Sequence, residues 1–273
     1  MLRDDATLSP FTRETLTKLL ADGMPFTVAS ARSGETMRQI LGELPITLPV
    51  IEFNGGIVSD YDTGRRRVVH DISTDIKGDL LDLLLREGFR PFVSTFDGEA
   101  DRLYYDRTTN DGAAWYLRDR IAGKDSRLKQ VSELASGLEE QVVCLTLIDT
   151  RERIDEINRV VEDRFQAGID SQCYEARYEV GWHWLTIHSD QATKGEAVRT
   201  VMGEVGCSAE EVIVFGDEVN DVGMLQLAGR GIAVENAIPS VIEVADQVIG
   251  SNGEDSVARF LEADWEKTRN ATE

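Results

Sequence analysis

Residues 212–225 constrain the fold more than any other part of this sequence. They read Val-Ile-Val-Phe-Gly-Asp-Glu-Val-Asn-Asp-Val-Gly-Met-Leu. The apolar, β-branched start fits a strand that is buried on both faces, and Gly216 lets the backbone turn where that strand ends. Such strands form parallel sheets, which bind their ligands just beyond the carboxyl ends of the strands. Asp217 is therefore predicted to lie at a ligand-binding edge.

Asn220 and Asp221 follow Asp217 closely enough to act with it. They come three and four residues later, so the three side chains can face one small volume if Asp221 opens the next helix. Carboxylate and amide oxygens are the ligands that Mg²⁺ prefers. The segment alone leaves a second interpretation open, in which Asp217 and Asp221 are ordinary turn and helix-capping residues.

The charge balance narrows the possible partners. Acidic residues outnumber basic ones by 50 to 29 and the net charge is -21, which argues against nucleic acid or an anionic membrane as the main partner. The cysteines, Cys144, Cys173 and Cys207, lack metal-ligand spacing and suit a reducing cytoplasm. The sequence shows no signal segment and no apolar run near the roughly 20 residues of a membrane helix. We expect a soluble cytoplasmic protein.

Strand patterns alternate with helix patterns along the chain, which predicts a parallel sheet covered by helices on both faces. In the first part, Ser9-Pro10 and Ser33 read as helix starts, and Gly23 reads as a helix end. Strands are predicted at residues 26–29 and 50–53, followed by a hairpin with its turn at residues 61–64.

The last part of the chain shows the tightest alternation. Its predicted elements are a helix at 194–202, a strand at 212–215, a helix at 222–227, a strand at 232–234, a helix at 241–245 and a strand at 247–249. We predict one core, built from residues 1–71 and 188–273, with a smaller α/β domain inserted at residues 72–187.

Five segments carry a resemblance to a known family. In chain order they are Ala29-Ser30-Ala31-Arg32, Asn54-Gly55-Gly56, Thr193-Lys194-Gly195-Glu196-Ala197, Gly216-Asp217-Glu218-Val219-Asn220-Asp221 and the tail from Ser251 to Ala258. Together they resemble successive motifs of the haloacid dehalogenase superfamily, and more narrowly of the Cof-like sugar-phosphate phosphatases with an inserted α/β cap of type IIB. The resemblance implies a Rossmann-like core and a cap that selects the substrate.

The resemblance also implies a role for each matching residue. Asp217 would be a catalytic Mg²⁺ ligand. Asp221 would be a second ligand or a group that contacts the metal's ligands, and Asn220 would position the metal or the phosphate. Lys194 would be catalytic, binding the phosphoryl group and neutralising its charge in the transition state. The residues expected to contact phosphate or substrate elsewhere are Ser30, Ala31, Arg32 and Asn54. Without the resemblance, Lys194 reads as a solvated lysine in the first turn of a helix.

One family motif is missing from its expected context. Members of the superfamily begin with a central strand that ends in Asp-x-Asp-Gly-Thr, in which the first aspartate attacks phosphorus and the second acts as general acid and base. The resemblance implies that this strand lies between those at residues 26–29 and 212–215, so its loss would leave two interior edges unpaired. We expect a truncated record of a normal enzyme, with a degenerate phosphatase as the alternative.

These observations predict a Mg²⁺-dependent phosphatase that hydrolyses a small phosphorylated metabolite, such as a sugar phosphate, through an aspartyl-phosphate. The chain as given lacks the nucleophile and is predicted to be inactive. The alternative is a non-catalytic protein that binds a phosphorylated metabolite or interacts with a partner. In the predicted cap, Trp182 and Trp184 either stack on a sugar or pack within a strand. The histidines, His70, His183 and His188, are predicted to be structural or surface residues.

Overall fold

The computed structural model describes residues 1–175 and 181–272. They form two compact units: unit 1 comprises Met1–Val68 and Thr193–Glu273, and unit 2 comprises Val69–Ala192. Both units contain helices and strands, so the fold class is α/β, as predicted. The predicted division at 71/72 and 187/188 differs from this clustering by three residues and by five. That unit 2 is a cap that selects substrates stays a prediction.

The first segment of unit 1 begins with two capped helices, α1 (Pro10–Ala21) and α2 (Gly34–Leu41). The Ser9 hydroxyl accepts from a first-turn amide of α1 at 2.9 Å, and Gly23 follows the last turn at φ +88°. The predicted start and end of α1 are therefore confirmed. Ser33 caps α2 in the same way, as predicted. These caps matter because the first amides of a helix have no partner within the helix.

A three-stranded sheet follows, formed by β1 (Val50–Glu52), β2 (Ile57–Ser59) and β3 (Arg66–Val69) in that order. Strands β1 and β2 are antiparallel, with Ile51 opposite Val58. The predicted hairpin is confirmed, because residues 61–64 form the turn between β2 and β3.

Residues 26–29, predicted as a strand, do not form one. Ala29 makes an isolated parallel bridge with Ile51, and the Val28 carbonyl accepts from the Ile51 amide. Within the described part of the chain, these residues have a strand neighbour on that side alone. Phe26 and Val28 stay half-buried, because so apolar a segment needs partners along both edges and cover on both faces to be fully buried.

Unit 2 is built on one sheet. Its strands are β4 (Phe92–Phe96), β5 (Asp101–Tyr105), β6 (Leu128–Gln130), β7 (Gln141–Asp149), β8 (Ile169–Glu175) and β9 (His183–Ser189). Its helices are α3 (Thr74–Arg86), α4 (Asp111–Ala122) and α5 (Arg151–Arg164). Within the described residues, the six strands pair continuously in the order β6-β5-β4-β7-β9-β8.

The two faces of the unit 2 sheet differ in chemistry. Helices α3 and α5 pack on one face, where Leu145, Leu185 and Ile187 are fully buried together with Leu80 and Ile154. Every second residue of an extended strand points to the same face. The alternate residues of β7 and β9 therefore form the opposite face, which contains several polar side chains.

The second segment of unit 1 supplies the remaining elements. They are α6 (Lys194–Val205), β10 (Ile213–Gly216), α7 (Val222–Leu227), β11 (Arg230–Val234), α8 (Pro239–Val244), β12 (Gln247–Ile249) and α9 (Ser256–Thr272). The predicted alternation of helix and strand is thus confirmed for this segment. Strands β10, β11 and β12 form a parallel sheet in that order.

Strand β10 is an edge of its sheet. Its register with β11 places Phe215 opposite Ile232, and its other side has no strand partner among the described residues. Counted over the residues that the structure describes, unit 1 therefore contains two separate three-stranded sheets, whereas unit 2 contains one continuous sheet. Phe215 is half-buried, although its sequence context indicates a strand buried on both faces.

Across the described residues, we find no helix that is both long enough and apolar enough to cross a membrane.

Candidate active site

Lys194 is held at the start of α6 by two acceptors. Its ammonium nitrogen lies 2.6 Å from Asp221 Oδ1 and 3.2 Å from Asn220 Oδ1. The residue is 8% exposed, so its interpretation as a solvated lysine is wrong. A cation opposes the helix dipole at a helix N-terminus, and the carboxylate of Asp221 offsets that cost. The predicted residues Lys194, Asn220 and Asp221 are therefore brought together.

Asp221 organises the loop that follows β10. Its Oδ2 accepts from the amides of Asp217 at 2.9 Å and of Glu218 at 3.1 Å, while its Oδ1 accepts from Lys194. A Cβ at Gly216 would lie 2.6 Å from the Asp221 Cβ, so glycine allows the close approach. Asp221 thus caps a turn and holds the lysine at the same time. Asp217 is half-buried at the end of β10, where the sequence places it.

Asn54 joins the site from the first segment of unit 1. Its Oδ1 accepts from the Asn220 side-chain amide at 2.9 Å, and the residue is fully buried. The backbone here is left-handed, with φ +57° at Asn54 and +107° at Gly55. A Cβ at Gly55 would lie 2.3 Å from the carbonyl oxygen of Thr193, beside Lys194. This contact requires glycine, and backbone strain of this kind clusters at functional sites.

The segment from Ser30 to Arg32 packs against Asn54. The Asn54 amide donates to the Ser30 carbonyl at 3.0 Å, and the Ser30 amide donates to the Ile51 carbonyl at 2.9 Å. The Ser30 hydroxyl accepts from the Arg32 amide at 3.1 Å, so it stabilises the turn that contains the half-buried Ala31. The four predicted phosphate-side residues of the first segment are therefore adjacent in the structure.

Glu52 is a supporting residue that the sequence analysis missed. Its carboxylate is fully buried and accepts from the Gly34 amide, from the Ser59 hydroxyl and from the Arg66 guanidinium, the last at 3.0 Å. Glu52 thereby fixes the start of α2, just after the Ser30–Arg32 turn. A carboxylate within the apolar strand Val-Ile-Glu-Phe was the available signal, because a buried charge requires a partner.

Oxygen donors at this site suit a hard cation, but they are few. Asp217 and Asp221 supply carboxylates, and both oxygens of Asp221 are already engaged. Among residues 1–175 and 181–272, no group of three or more His, Cys, Asp or Glu side chains could hold a metal ion. Mg²⁺ often uses one or two carboxylates and completes its shell with water and phosphate oxygens. The donor chemistry is therefore compatible with Mg²⁺, and the assignment of Asp217 as its protein ligand stays a prediction.

The aromatic and histidine residues considered above belong to unit 2. Trp184 packs edge-to-face against Tyr116, with ring centroids 5.0 Å apart, which supports the packing interpretation for this residue. His183 and His188 both lie in β9. His188 is 1% exposed and is therefore an interior residue.

These features define an α/β protein in which a buried lysine is paired with an acidic residue in the loop that follows a strand. A family model described as haloacid dehalogenase-like hydrolase matches residues 1–261, and the chain belongs to that family. It is 26% identical over 262 residues to the 5-amino-6-(5-phospho-D-ribitylamino)uracil phosphatase YitU of Bacillus subtilis, covering 96% of this chain and 92% of that protein.

Solved structures show the same fold. A haloacid dehalogenase-like hydrolase from Bacteroides thetaiotaomicron matches with a TM-score of 0.78 and 18% identity, covering 96% of this chain and 94% of that one. A sugar phosphatase of haloacid dehalogenase subclass IIB matches with a TM-score of 0.74 and 17% identity, covering 96% and 94%. The fold predicted from the motifs, a haloacid dehalogenase-like α/β protein, is confirmed.

Proposed function

We propose that this protein is a phosphoric monoester hydrolase that acts on a small phosphorylated metabolite, of the sugar-phosphate kind. The observation that carries the proposal is the hydrogen-bonded network from Asn54 through Asn220 to Lys194 and Asp221. It joins three motif segments that are far apart in sequence around one buried cation. The phosphorylated ribityl compound in the name of the Bacillus relative supports this substrate class.

Lys194 supplies the charge that a phosphoryl group requires. Its ammonium is already oriented by Asn220 and Asp221, so little reorganisation is needed when negative charge develops on the transferred group. The Ser30–Arg32 turn, which packs on Asn54, would hold a phosphate oxygen with the Ser30 hydroxyl, which accepts from the Arg32 amide and still has its own proton to donate. The hydrogen bond between Asn220 and Asn54 holds these two parts of the site next to each other.

Mg²⁺ is the proposed cofactor, and Asp217 is the residue that would hold it. When bound, the cation would neutralise charge on the phosphate oxygens. Asp221 would support the site without contacting the cation, because its oxygens accept from the Asp217 and Glu218 amides and from Lys194. By family resemblance, the proposed reaction passes through an aspartyl-phosphate. No described residue joins Asp217 and Asp221 as a third carboxylate, so we propose that residues 1–273 alone do not release phosphate.

The experiment compares the 273-residue protein with a variant that has a strand ending in Asp-x-Asp-Gly-Thr added before Met1. Phosphate release is measured on a panel of sugar phosphates and an aryl phosphate, with and without Mg²⁺. We expect release from the extended protein with Mg²⁺ and none from the shorter one. Lys194→Met in the extended protein should abolish release, whereas Lys77→Met, in unit 2, should not.

Each other outcome contradicts a defined part of the proposal. Release by the 273-residue protein would show that another group serves as nucleophile. An extended protein that is folded but inactive on the whole panel would contradict the enzyme and support the alternative, a protein that binds a phosphorylated metabolite without hydrolysing it. The reducing cytoplasm remains the proposed location, supported by the free cysteines Cys144, Cys173 and Cys207.

A further inference from the structure

The segment that leads into α1, residues 1–8, contains a turn that closes on itself. The Arg3 amide donates to the Thr7 carbonyl at 2.9 Å, and the Ala6 amide donates to the Arg3 carbonyl at 2.9 Å. The turn places Ala6 at φ +61°. A residue with a Cβ adopts this region rarely, and it does so where surrounding contacts hold it. We call residues 1–8 the entry segment, and we looked for the contacts that hold it.

The loop that follows β12, residues 250–255, contacts the chain on both sides of this turn. Before the turn, the side-chain amide of Asn252 donates to the Leu2 carbonyl at 2.9 Å. After it, in the first turn of α1, the Thr12 hydroxyl donates to Asp255 Oδ1 at 3.0 Å. A segment that is bonded at two points to one loop can lie in few places relative to that loop.

The loop itself has a fixed shape. The Ser251 amide donates to Glu254 Oε2 at 3.2 Å, which forms one half of a capping box. The Ser256 hydroxyl, at the start of α9, donates to the Gly250 carbonyl at 2.6 Å. These bonds close the loop from within, so its contacts with the entry segment start from a rigid support.

Asn252 also connects the entry segment to the candidate active site. Its backbone amide donates to Asn236 Oδ1, in the loop after β11, at 2.9 Å. In that same loop, the Ile238 amide donates to the Asp217 carbonyl at 3.1 Å. Strands β10, β11 and β12 are parallel neighbours, so the loops after them lie along one edge of the sheet. Hydrogen bonds therefore join the loops in series from Asp217 to Leu2.

The side chain of Asn252 bonds outside its own loop. Besides the Leu2 carbonyl, its amide donates to Asp4 Oδ1 at 3.2 Å. Asn252 is half-buried and Asp4 is exposed, and the net contribution of such hydrogen bonds to global stability is modest. Their expected effect is local, on the position of the entry segment.

We propose that Asn252 is a positioning residue, which holds the entry segment at the edge of the sheet where Asp217 lies. A second part of the proposal rests on the proposed function. In the extended protein, the added Asp-x-Asp-Gly-Thr ends directly before Met1, within a few residues of the Leu2 carbonyl. Asn252 then also determines how accurately the attacking aspartate is placed.

Amide exchange in the 273-residue protein tests the first part without turnover. Asn252→Asp keeps the size of the side chain, removes its donors and sets a carboxylate beside Asp4. The Arg3 and Ala6 amides should then exchange roughly tenfold faster by NMR. Adding Asp4→Asn to Asn252→Asp restores a donor and an acceptor in the reverse sense, so it should recover part of the protection.

Asn158→Asp is the matched control, because it sets a carboxylate beside Glu162, to which Asn158 donates in α5. It should leave both exchange rates unchanged. Unchanged rates in Asn252→Asp would overturn the proposal. A lower urea midpoint for the whole of unit 1 in that variant would overturn it as well, since Asn252 would then serve the fold rather than the placement of one segment.

Kinetics of the extended protein test the second part. Asn252→Asp should lower kcat roughly ten- to a hundredfold, as misplacement of a reacting group does. It should leave KM nearly unchanged, because Ser30 and Lys194 are not altered. Asn158→Asp should change neither constant, and Asp4→Asn added to Asn252→Asp should recover part of kcat. A raised KM with an unchanged kcat contradicts the second part. An extended protein without phosphate release removes the proposed function and the second part together, while amide exchange still decides the first.

Discussion

Both units contain apolar strands, but these strands differ in the number of neighbouring strands with which they pair. In unit 2, one contiguous stretch of chain forms a continuous six-stranded sheet among the described residues, and β7 is paired on both sides. In unit 1, two stretches of chain form two sheets of three strands each, and β10 is an edge. The burial follows the pairing: Val142 and Leu145 of β7 are 0% exposed, whereas Phe215 of β10 is half-buried. An apolar strand is therefore only as buried as its neighbours allow.

The largest expected difference concerns two buried lysines, one in each unit. Lys194→Met leaves the buried carboxylate of Asp221 without its cation and should cost roughly 3 to 5 kcal/mol of unfolding free energy. Lys77→Met, at the similarly buried Lys77, removes a hydrogen bond to the Glu140 carbonyl and should cost about 1 kcal/mol. Urea unfolding of both variants measures the difference. Equal losses of unfolding free energy in the two variants would show that the Lys194–Asp221 ion pair contributes no more than the hydrogen bond from Lys77 to the Glu140 carbonyl.

Acid should act on unit 2 through His188. Its pKa is about 4 in the folded protein and 6.5 in the reference state, so the unfolded chain takes up the proton first. The neutral His188 imidazole therefore contributes to the free energy of unfolding above pH 6.5. This contribution is lost as the pH falls through 4, by roughly 3 kcal/mol in all. His188→Gln should remove this part of the acid sensitivity. Hydrogen-exchange mass spectrometry in urea at pH 7 and pH 4 reads each unit separately, and an unchanged acid response of unit 2 in the variant would contradict the assignment.

A matched pair of valines tests the effect of sheet continuity on packing. Val142→Ala removes two methyl groups from a fully buried site in unit 2 and should cost about 2 kcal/mol. Val28→Ala removes the same atoms from a half-buried site in unit 1 and should cost less than about 1 kcal/mol. Denaturation midpoints at constant slope give both values. A larger loss of unfolding free energy at Val28 than at Val142 would mean that the division of unit 1 into two sheets does not weaken the packing of its core.

The smallest expected effect is an alternation of amide exchange along β10. The Arg230 amide donates to the Val212 carbonyl, and a parallel ladder continues through every second residue. Val214 and Gly216 therefore bond to β11, while the amides of Ile213 and Phe215 face the open edge. These two amides should exchange roughly tenfold faster or more, as NMR exchange rates would show. Uniform protection along β10 would contradict an open edge, and β7, paired on both sides, is the control.

Local signals made much of unit 1 predictable. The caps at Ser9 and Ser33 involve neighbours within three residues, and each was read directly from the sequence. The segment at residues 212–225 predicted Asp217 at a strand end, because a glycine, an acidic residue and a helix follow the strand in a fixed local order. The motifs also grouped Lys194 with Asp221, and the structure brings them within hydrogen-bonding distance.

The features that escaped prediction depend on distant partners. Residues 26–29 have a strand composition but lack a second strand neighbour in the described part of the chain, and composition does not reveal neighbours. The partners of Glu52 are at Gly34 and Arg66, and no local pattern specifies that pairing. The polar side chains on the unit 2 sheet face opposite α3 and α5 depend on the register of β7, β8 and β9, because a shift of one residue would turn every side chain to the other face.

The division of unit 1 into two stretches has a consequence for the timing of synthesis. The 124 residues of unit 2 are made between them, and at about 5 to 20 residues per second a ribosome needs roughly 6 to 25 s to make that length. Throughout this interval the first 68 residues have no access to Thr193, whose carbonyl packs against Gly55. The nascent first segment must therefore remain unaggregated with apolar surface uncovered for seconds, long after its own helices are able to form.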